Sequence, residues 1–245
     1  MIIILYLFII GSCFASFANA VIYRLPKKIS ICKGRSYCEF CHHNLLWYDL
    51  IPIISYLFLK GRCRYCHCCI SLNHLFFECF GGFLMIVCAK YFMLSKEMIL
   101  IFMIIMNLVV IAVIDYQTFD IYLVTLISLL LFVLIYRYFT TILIFDMLVG
   151  AISVSIVMVI INFFIPTSFG FGDIQLMFVT GLFLGWQKNI LAFILGIISG
   201  GIYATYLIII KKDKGKKYLP FAPFLVLGVV ISIFYGTELI NWYIY

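Results

Sequence analysis

Two aspartates stand out by where they lie. Asp115 closes an apolar run, Met98–Ile114, and Asp173 ends the tetrapeptide Gly170-Phe171-Gly172-Asp173 between the apolar runs Ile142–Ile165 and Ile174–Trp186. A carboxylate beside a membrane-length apolar run is costly unless it faces protein or water. Two carboxylates held close together resist ionising together and share a proton. One then draws a proton from water while the other gives one to a carbonyl or leaving amine. Spacing alone leaves another reading open: Asp115 is a solvated helix end, and Asp173 favours the positive N-terminus of the next helix. Gly170 and Gly172 allow backbone shapes or close approaches that other residues resist, and with Gln175 they are the candidate supports of such a site. Asp120 shares the short link after Asp115. Asp146 lies toward the far end of its run and reads as a structural polar contact.

The second chemical signal is sulfur. Of ten cysteines, eight fall between Cys13 and Cys69, and four form the pairs Cys38-x-x-Cys41 and Cys63-x-x-Cys66, with 21 residues between the pairs. Each pair offers two thiolates to a tetrahedral ion, so zinc is the expected ligand. A reducing compartment favours metal over disulfide. Gly34-Arg35 and Gly61-Arg62 precede the pairs as turn signals, His42 and His43 read as surface residues, and His67, Cys68 and Cys69 compete as ligands.

These residues must be positioned by membrane-spanning helices. The chain of 245 residues is 66% hydrophobic and only 11% charged, with mean hydropathy +1.20. A soluble domain would be roughly a quarter charged. The expected fold is therefore an all-α polytopic membrane protein of about eight helices. Residues 1–22 form the first span, residues 23–73 a cytosolic loop domain carrying the cysteines, and residues 74–245 a seven-helix membrane domain. A small-x-small site at Ala18-Asn19-Ala20 suggests a cleaved signal, but the basic residues follow the first apolar run instead of preceding it. Charge counting settles the short Ile174–Trp186 run. With eight spans, thirteen Lys/Arg lie inside (the first loop and Lys211–Lys217) and four outside (Lys90, Lys96, Arg137, Lys188). A re-entrant segment would give nine against eight, so the positive-inside bias favours eight spans with both termini outside. Asp115 and Asp173 then both lie at cytosolic helix ends. The basic Lys211–Lys217 loop reads as a topology determinant touching anionic lipid, and Leu219–Phe224 as a stiff proline-set return into the membrane.

Taken together, the pieces resemble the type IV prepilin peptidases, membrane aspartic peptidases that process prepilins and pseudopilins. Gly11-Ser12…Ser16-Phe17-Ala18-Asn19-Ala20-Val21-Ile22-Tyr23-Arg24-Leu25-Pro26 is similar to the family's GSFxNVxxxRxP. The two cysteine pairs follow, with Leu46–Asp49, Ile51-Pro52, Gly61–Arg64 and Ile70-Ser71. The GFGD segment is similar to GxGDxKL, and Leu219–Leu225 to PFGPFL. In this order the pieces cover nearly the whole chain. The resemblance implies an aspartic endopeptidase of the bacterial cytoplasmic membrane with Asp115 and Asp173 as its catalytic pair. It would cut after a glycine in leaders of type IV pilus or protein-secretion substrates. It further implies a methyltransferase that uses S-adenosylmethionine on the new N-terminus, seated in the first loop, although no nucleotide-binding motif is present. Where the family often has Pro-Asp this chain has Tyr122-Leu123, and where it usually has Lys this chain has Gln175.

Two other functions fit the residues taken singly. A zinc-bearing membrane scaffold or assembly factor would need the cysteines and not the aspartates. A transporter would need acids near the bilayer middle, whereas these lie at one face. Nothing in the sequence points to nucleic acid.

Overall fold

Long apolar runs have one stable solution in lipid, because a helix satisfies its own backbone. The structure is a computed structural model. It describes the chain except Met1, Cys32, Lys33, residues 141–143, Thr167, residues 210–218 and Tyr245. The Lys211–Lys217 loop thus lies outside the described residues. Among those described the chain is helical, without strands: α1 (Ile2–Arg24), a 3-10 turn (Trp47–Leu50), α2 (Ile54–Phe58), α3 (Leu72–Phe92), α4 (Lys96–Thr118), α5 (Leu123–Phe139), α6 (Ile144–Phe164), α7 (Phe171–Leu184), α8 (Trp186–Ile209) and α9 (Ala222–Ile244). Six of these helices are long and apolar enough to cross a membrane. Two more, α5 and α7, are apolar but shorter, with 17 and 14 residues. This is a multi-pass membrane protein.

Contacts divide the chain into two compact units, Met1–Phe102 and Met103–Tyr245. In the first, α1 packs on α3 through small residues. A Cβ added to Gly11 would run into the carbonyl oxygen of Gly81, and one added to Gly82 would lie 2.6 Å from the Phe8 ring. Such close crossings are how membrane helices gain van der Waals contact where lipid is as apolar as the core. Ser71 starts α3, its hydroxyl accepting from the Asn73 N–H.

The second unit is built around α7. Its core holds Leu108, Ile111, Leu129, Met158, Leu176, Met177 and Leu225. A Cβ on Gly181 of α7 would meet the carbonyl of Gly150 on α6, so these helices touch backbone to backbone. Asn189 of α8 is fully buried and ties the layer together. Its amide donates to the carbonyls of Gly150 (3.1 Å) and Met177 (3.2 Å), and its oxygen accepts from Thr180 (3.2 Å).

Arg137 differs from the sequence expectation. The charge count sets Arg137 outside the spans. The helix instead continues to Phe139, and Arg137 is buried, donating to the carbonyls of Leu182 (2.8 Å) and Phe183 (2.5 Å) at the end of α7. The last carbonyls of a helix lack intrahelical donors and carry partial negative charge, so a cation there satisfies both needs. Lys96 and Lys188 likewise fall in the first turns of α4 and α8, not in links. Gly185 then breaks the chain between α7 and α8 at φ 77°, against the Asp146 carboxylate, where any Cβ would lie 2.6 Å from Oδ2.

Candidate functional site

The segment that delivers Asp173 is held before its helix begins. Asn162, near the end of α6, brackets Phe169 with two bonds: its amide donates to the Phe169 carbonyl and its oxygen accepts the Phe169 N–H, both at 2.8 Å. The Phe169 ring packs on Phe193 and on Phe221, with centroids 6.0 and 5.5 Å apart. Gly170 then caps α7. Its φ of −66° is open to any residue, so the glycine is needed for space. A Cβ there would sit 3.1 Å from Asp173 Oδ2, and one on Gly172 would sit 2.8 Å from Ile121 Cβ. Close approach, not left-handed backbone, accounts for both glycines.

Asp173 and Asp115 are both buried, at 8% and 5% exposure. Burying a carboxylate costs several kcal/mol unless it is hydrogen-bonded or shares a proton, on the order of magnitude for ions leaving water. Among the described residues each has one backbone donor. The Gly170 N–H reaches Asp173 Oδ2 at 3.3 Å, and the Ala222 N–H reaches Asp115 Oδ2 at 3.1 Å. The second contact spans 107 residues of sequence. It comes from the start of α9, where Pro220 and Pro223 lack N–H groups and the Phe224 and Leu225 N–H groups already bond the Phe221 carbonyl. The Ala222 N–H is thus left to face Asp115. The two carboxylates are near enough for the charge of one to act on the other, and the exposed Asp120 acts on Asp115 as well. Gln175, two residues beyond Asp173, points to another side of α7. It lines an apolar groove of about 510 Å³ with Leu126, Ile152, Val159, Phe171 and Phe178.

The four cysteines of the two pairs converge in the first unit. Cys38, Cys41, Cys63 and Cys66 place all four sulfurs within 4.8 Å of one another, and Cys38 and Cys66 are 3.7 Å apart. Zinc–sulfur bonds of about 2.3 Å in a tetrahedron put sulfurs about 3.8 Å apart, so the donor set fits such an ion. Neither Cys68 nor Cys69 belongs to the cluster.

The two halves of the site repeat one another. The His42 N–H bonds the Cys38 carbonyl and the Cys38 N–H bonds the His43 carbonyl; the His67 N–H bonds the Cys63 carbonyl and the Cys63 N–H bonds the Cys68 carbonyl. The residue before each pair bridges to one further on, Tyr37 to Asn44 and Arg62 to Cys69. His42 and His67 both sit at positive φ, 56° and 58°. The repeated Cys-x-x-Cys-His is the sequence trace of this duplication. His43 stays at the surface, stacked on Tyr65 at 3.7 Å. The His43 N–H favours the Cys41 thiolate, but loss of water and crowding by Cys38 and Cys66 win, pushing its thiol up to about 11. A cation among the sulfurs reverses that repulsion.

Residues 9–92 match the family described as the bacterial peptidase A24 N-terminal domain, and residues 100–205 match the type IV leader peptidase family. A prepilin leader peptidase/N-methyltransferase of Bacillus subtilis (strain 168) is 31% identical over 242 residues, covering 97% of this chain and 96% of the relative. The chain belongs to the prepilin leader peptidase/N-methyltransferase family. The Vibrio cholerae member is 28% identical over 247 residues, 92% of this chain and 94% of the relative. The Myxococcus xanthus member is 39% identical over 110 residues, 45% of this chain and 33% of the relative. No solved structure matches. In family terms, the N-terminal match holds the cysteine cluster and the leader peptidase match holds both buried aspartates.

Among the residues that build the site, sequence reasoning missed Asn162, Asn189, Arg137 and the Ala222 N–H. The first three carried a signal: polar side chains in or beside apolar runs, which must find partners. Ala222 carried none, because its donor is backbone.

Proposed function

We propose that this chain removes the N-terminal leader from type IV prepilins and pseudopilins, with Asp115 and Asp173 as its catalytic pair at the cytosolic membrane face, and then N-methylates the new N-terminus. The observation that carries the reading is the burial of both carboxylates in one unit, each with a backbone donor and each within electrostatic reach of the other. The pair holds one proton between them. The ionised carboxylate takes a proton from a water as its oxygen bonds to the scissile carbonyl carbon. The protonated one gives its proton to the carbonyl oxygen, leaving a neutral diol. The diol then collapses, the C–N bond breaks, a proton reaches the departing amine, and the dyad returns to its starting state. Backbone N–H groups suit this work because they hold each carboxylate in place without adding charge.

The four-cysteine site holds zinc in a structural role, with all four positions filled by protein. Cys38, Cys41, Cys63 and Cys66 are its ligands, and the ion folds the loop domain of residues 23–73. The positive-inside bias puts that loop in the cytosol and both termini outside. Gly170 and Gly172 give the close approach that α7 needs at its start. Gln175 faces the substrate's apolar helix through the groove it lines, in place of the family's usual lysine. The experiment is the mass of the N-terminus of a prepilin co-expressed with this protein. Leader loss with an added methyl group is expected. An intact leader overturns the peptidase reading, and a cleaved but unmethylated terminus overturns the second activity.

A further inference from the structure

A cavity of about 490 Å³ opens in the first unit where α1 and α3 meet the cysteine-bearing loop. Its walls come from the last turns of α1, the first turns of α3, α2, and the backs of the two cysteine hairpins. Small-molecule sites fall at about 300–1,000 Å³ and combine apolar walls with a few convergent polar groups. Here the charged groups are Arg24, Glu39, Asp49, Arg64 and Glu78, with Asn19 and His74 beside them, and the rings are those of Tyr23, Tyr37 and Tyr56.

Glu78 is the organising group. One carboxylate oxygen accepts from the Ser16 hydroxyl and the other from the Ile53 N–H, both at 2.8 Å. Ile53 has φ 64° and ψ −51°, a strained conformation for a β-branched residue. The strain persists because Glu78 ties the loop to α1 and α3. Each oxygen keeps a lone pair free for a ligand. Among the described residues Arg24 donates from one nitrogen to the carbonyls of Ser30 (3.4 Å) and Ile31 (3.2 Å), and the other donors of its fork suit a carboxylate.

We infer that this cavity is the S-adenosylmethionine site, with Glu78 facing the sulfonium, Arg24 the methionyl carboxylate and the tyrosine rings the adenine. The inference rests on the methylation reading above. When bound, the donor presents a methyl carbon to the amine lone pair, and the N–C bond forms as the C–S bond breaks, its electron pair remaining on a neutral thioether. The incoming amine sheds its proton to water first, since α-amino groups titrate near neutral pH, about 7.7–8. The positive charge passes from sulfur to the methylated nitrogen. Glu78 faces the cation at both stages.

The test is equilibrium binding of S-adenosylmethionine and of neutral S-adenosylhomocysteine to the purified, zinc-loaded full chain in detergent. Glu78→Gln keeps an acceptor oxygen and removes the charge. It is expected to weaken S-adenosylmethionine roughly tenfold and the neutral thioether much less. Ser55→Phe fills the cavity from α2 and leaves the Glu78 bonds alone. It is expected to abolish binding of both ligands, with zinc content and leader cleavage unchanged. Unaltered binding by Ser55→Phe, in a protein that still methylates prepilin, overturns this site alone. A wild-type protein that neither binds the donor nor methylates prepilin overturns the methylation reading with it.

Discussion

Asn162 makes the sharpest prediction about how Asp173 is held. Its side chain makes both bonds to Phe169, each 2.8 Å, immediately before the capping Gly170. Asn162→Ala removes both. A neutral hydrogen bond is worth about 1 kcal/mol net, so about 2 kcal/mol of preference for this loop conformation is lost. If that preference is needed to align the carboxylates in the transition state, kcat falls roughly 30-fold while KM hardly moves. Asn162→Asp keeps the acceptor for the Phe169 N–H and loses the donor to its carbonyl, so a loss of roughly fivefold is expected. The assay is cleavage of a purified prepilin in detergent over a range of substrate concentrations, with thermal melting as the control for folding. Wild-type kcat in Asn162→Ala would refute the reasoning, as would a rise in KM with kcat unchanged. Either result would mean that the Phe169 rings hold the segment without Asn162.

Other changes test the frame and the metal site. Gly181→Leu forces a side chain into the backbone of Gly150 and is expected to prevent stable folding, read as loss of detergent-soluble monodisperse protein. Asn189→Leu removes three buried bonds worth about 0.6 kcal/mol each in membrane helices, about 2 kcal/mol in all, read as a lower melting temperature. Zinc binding must expel protons from the cysteines, and Cys41 holds its proton above the ordinary range. Zinc retention against a fixed chelator is therefore expected to fall as pH falls, and pH-independent retention would contradict a thiolate site. Cys63→Ser should lose stoichiometric zinc in the purified protein, while Cys69→Ser should keep it.

Much of this was legible in the chain because lipid leaves few choices. The apolar runs had to be helices, and Asp115 and Asp173 had to be explained because each stood beside one. The Cys-x-x-Cys pairs were readable because zinc asks for four thiolates in a short stretch. Competition from Cys68 and Cys69 was not resolvable, because the clustering of the other four sulfurs depends on the backbone turns at His42 and His67. Helix ends were less readable. Arg137 looked like the end of a helix because charge normally marks the water interface, yet the carbonyls at the end of α7 make its burial tolerable. The contact from Ala222 to Asp115 was out of reach, since a backbone donor leaves no mark on residue type. The glycines of GFGD suggested either unusual backbone or close approach, and the structure uses their size.

The central claim is that Asp115 and Asp173 act as one catalytic pair. Asp115→Asn and Asp173→Asn keep size and most hydrogen bonding while removing the acid, so each protein should still fold and carry zinc. The decisive measurement is the N-terminal mass of a prepilin co-expressed with each variant. The leader should be retained with either substitution. A cleaved prepilin beside either well-folded variant would contradict the account.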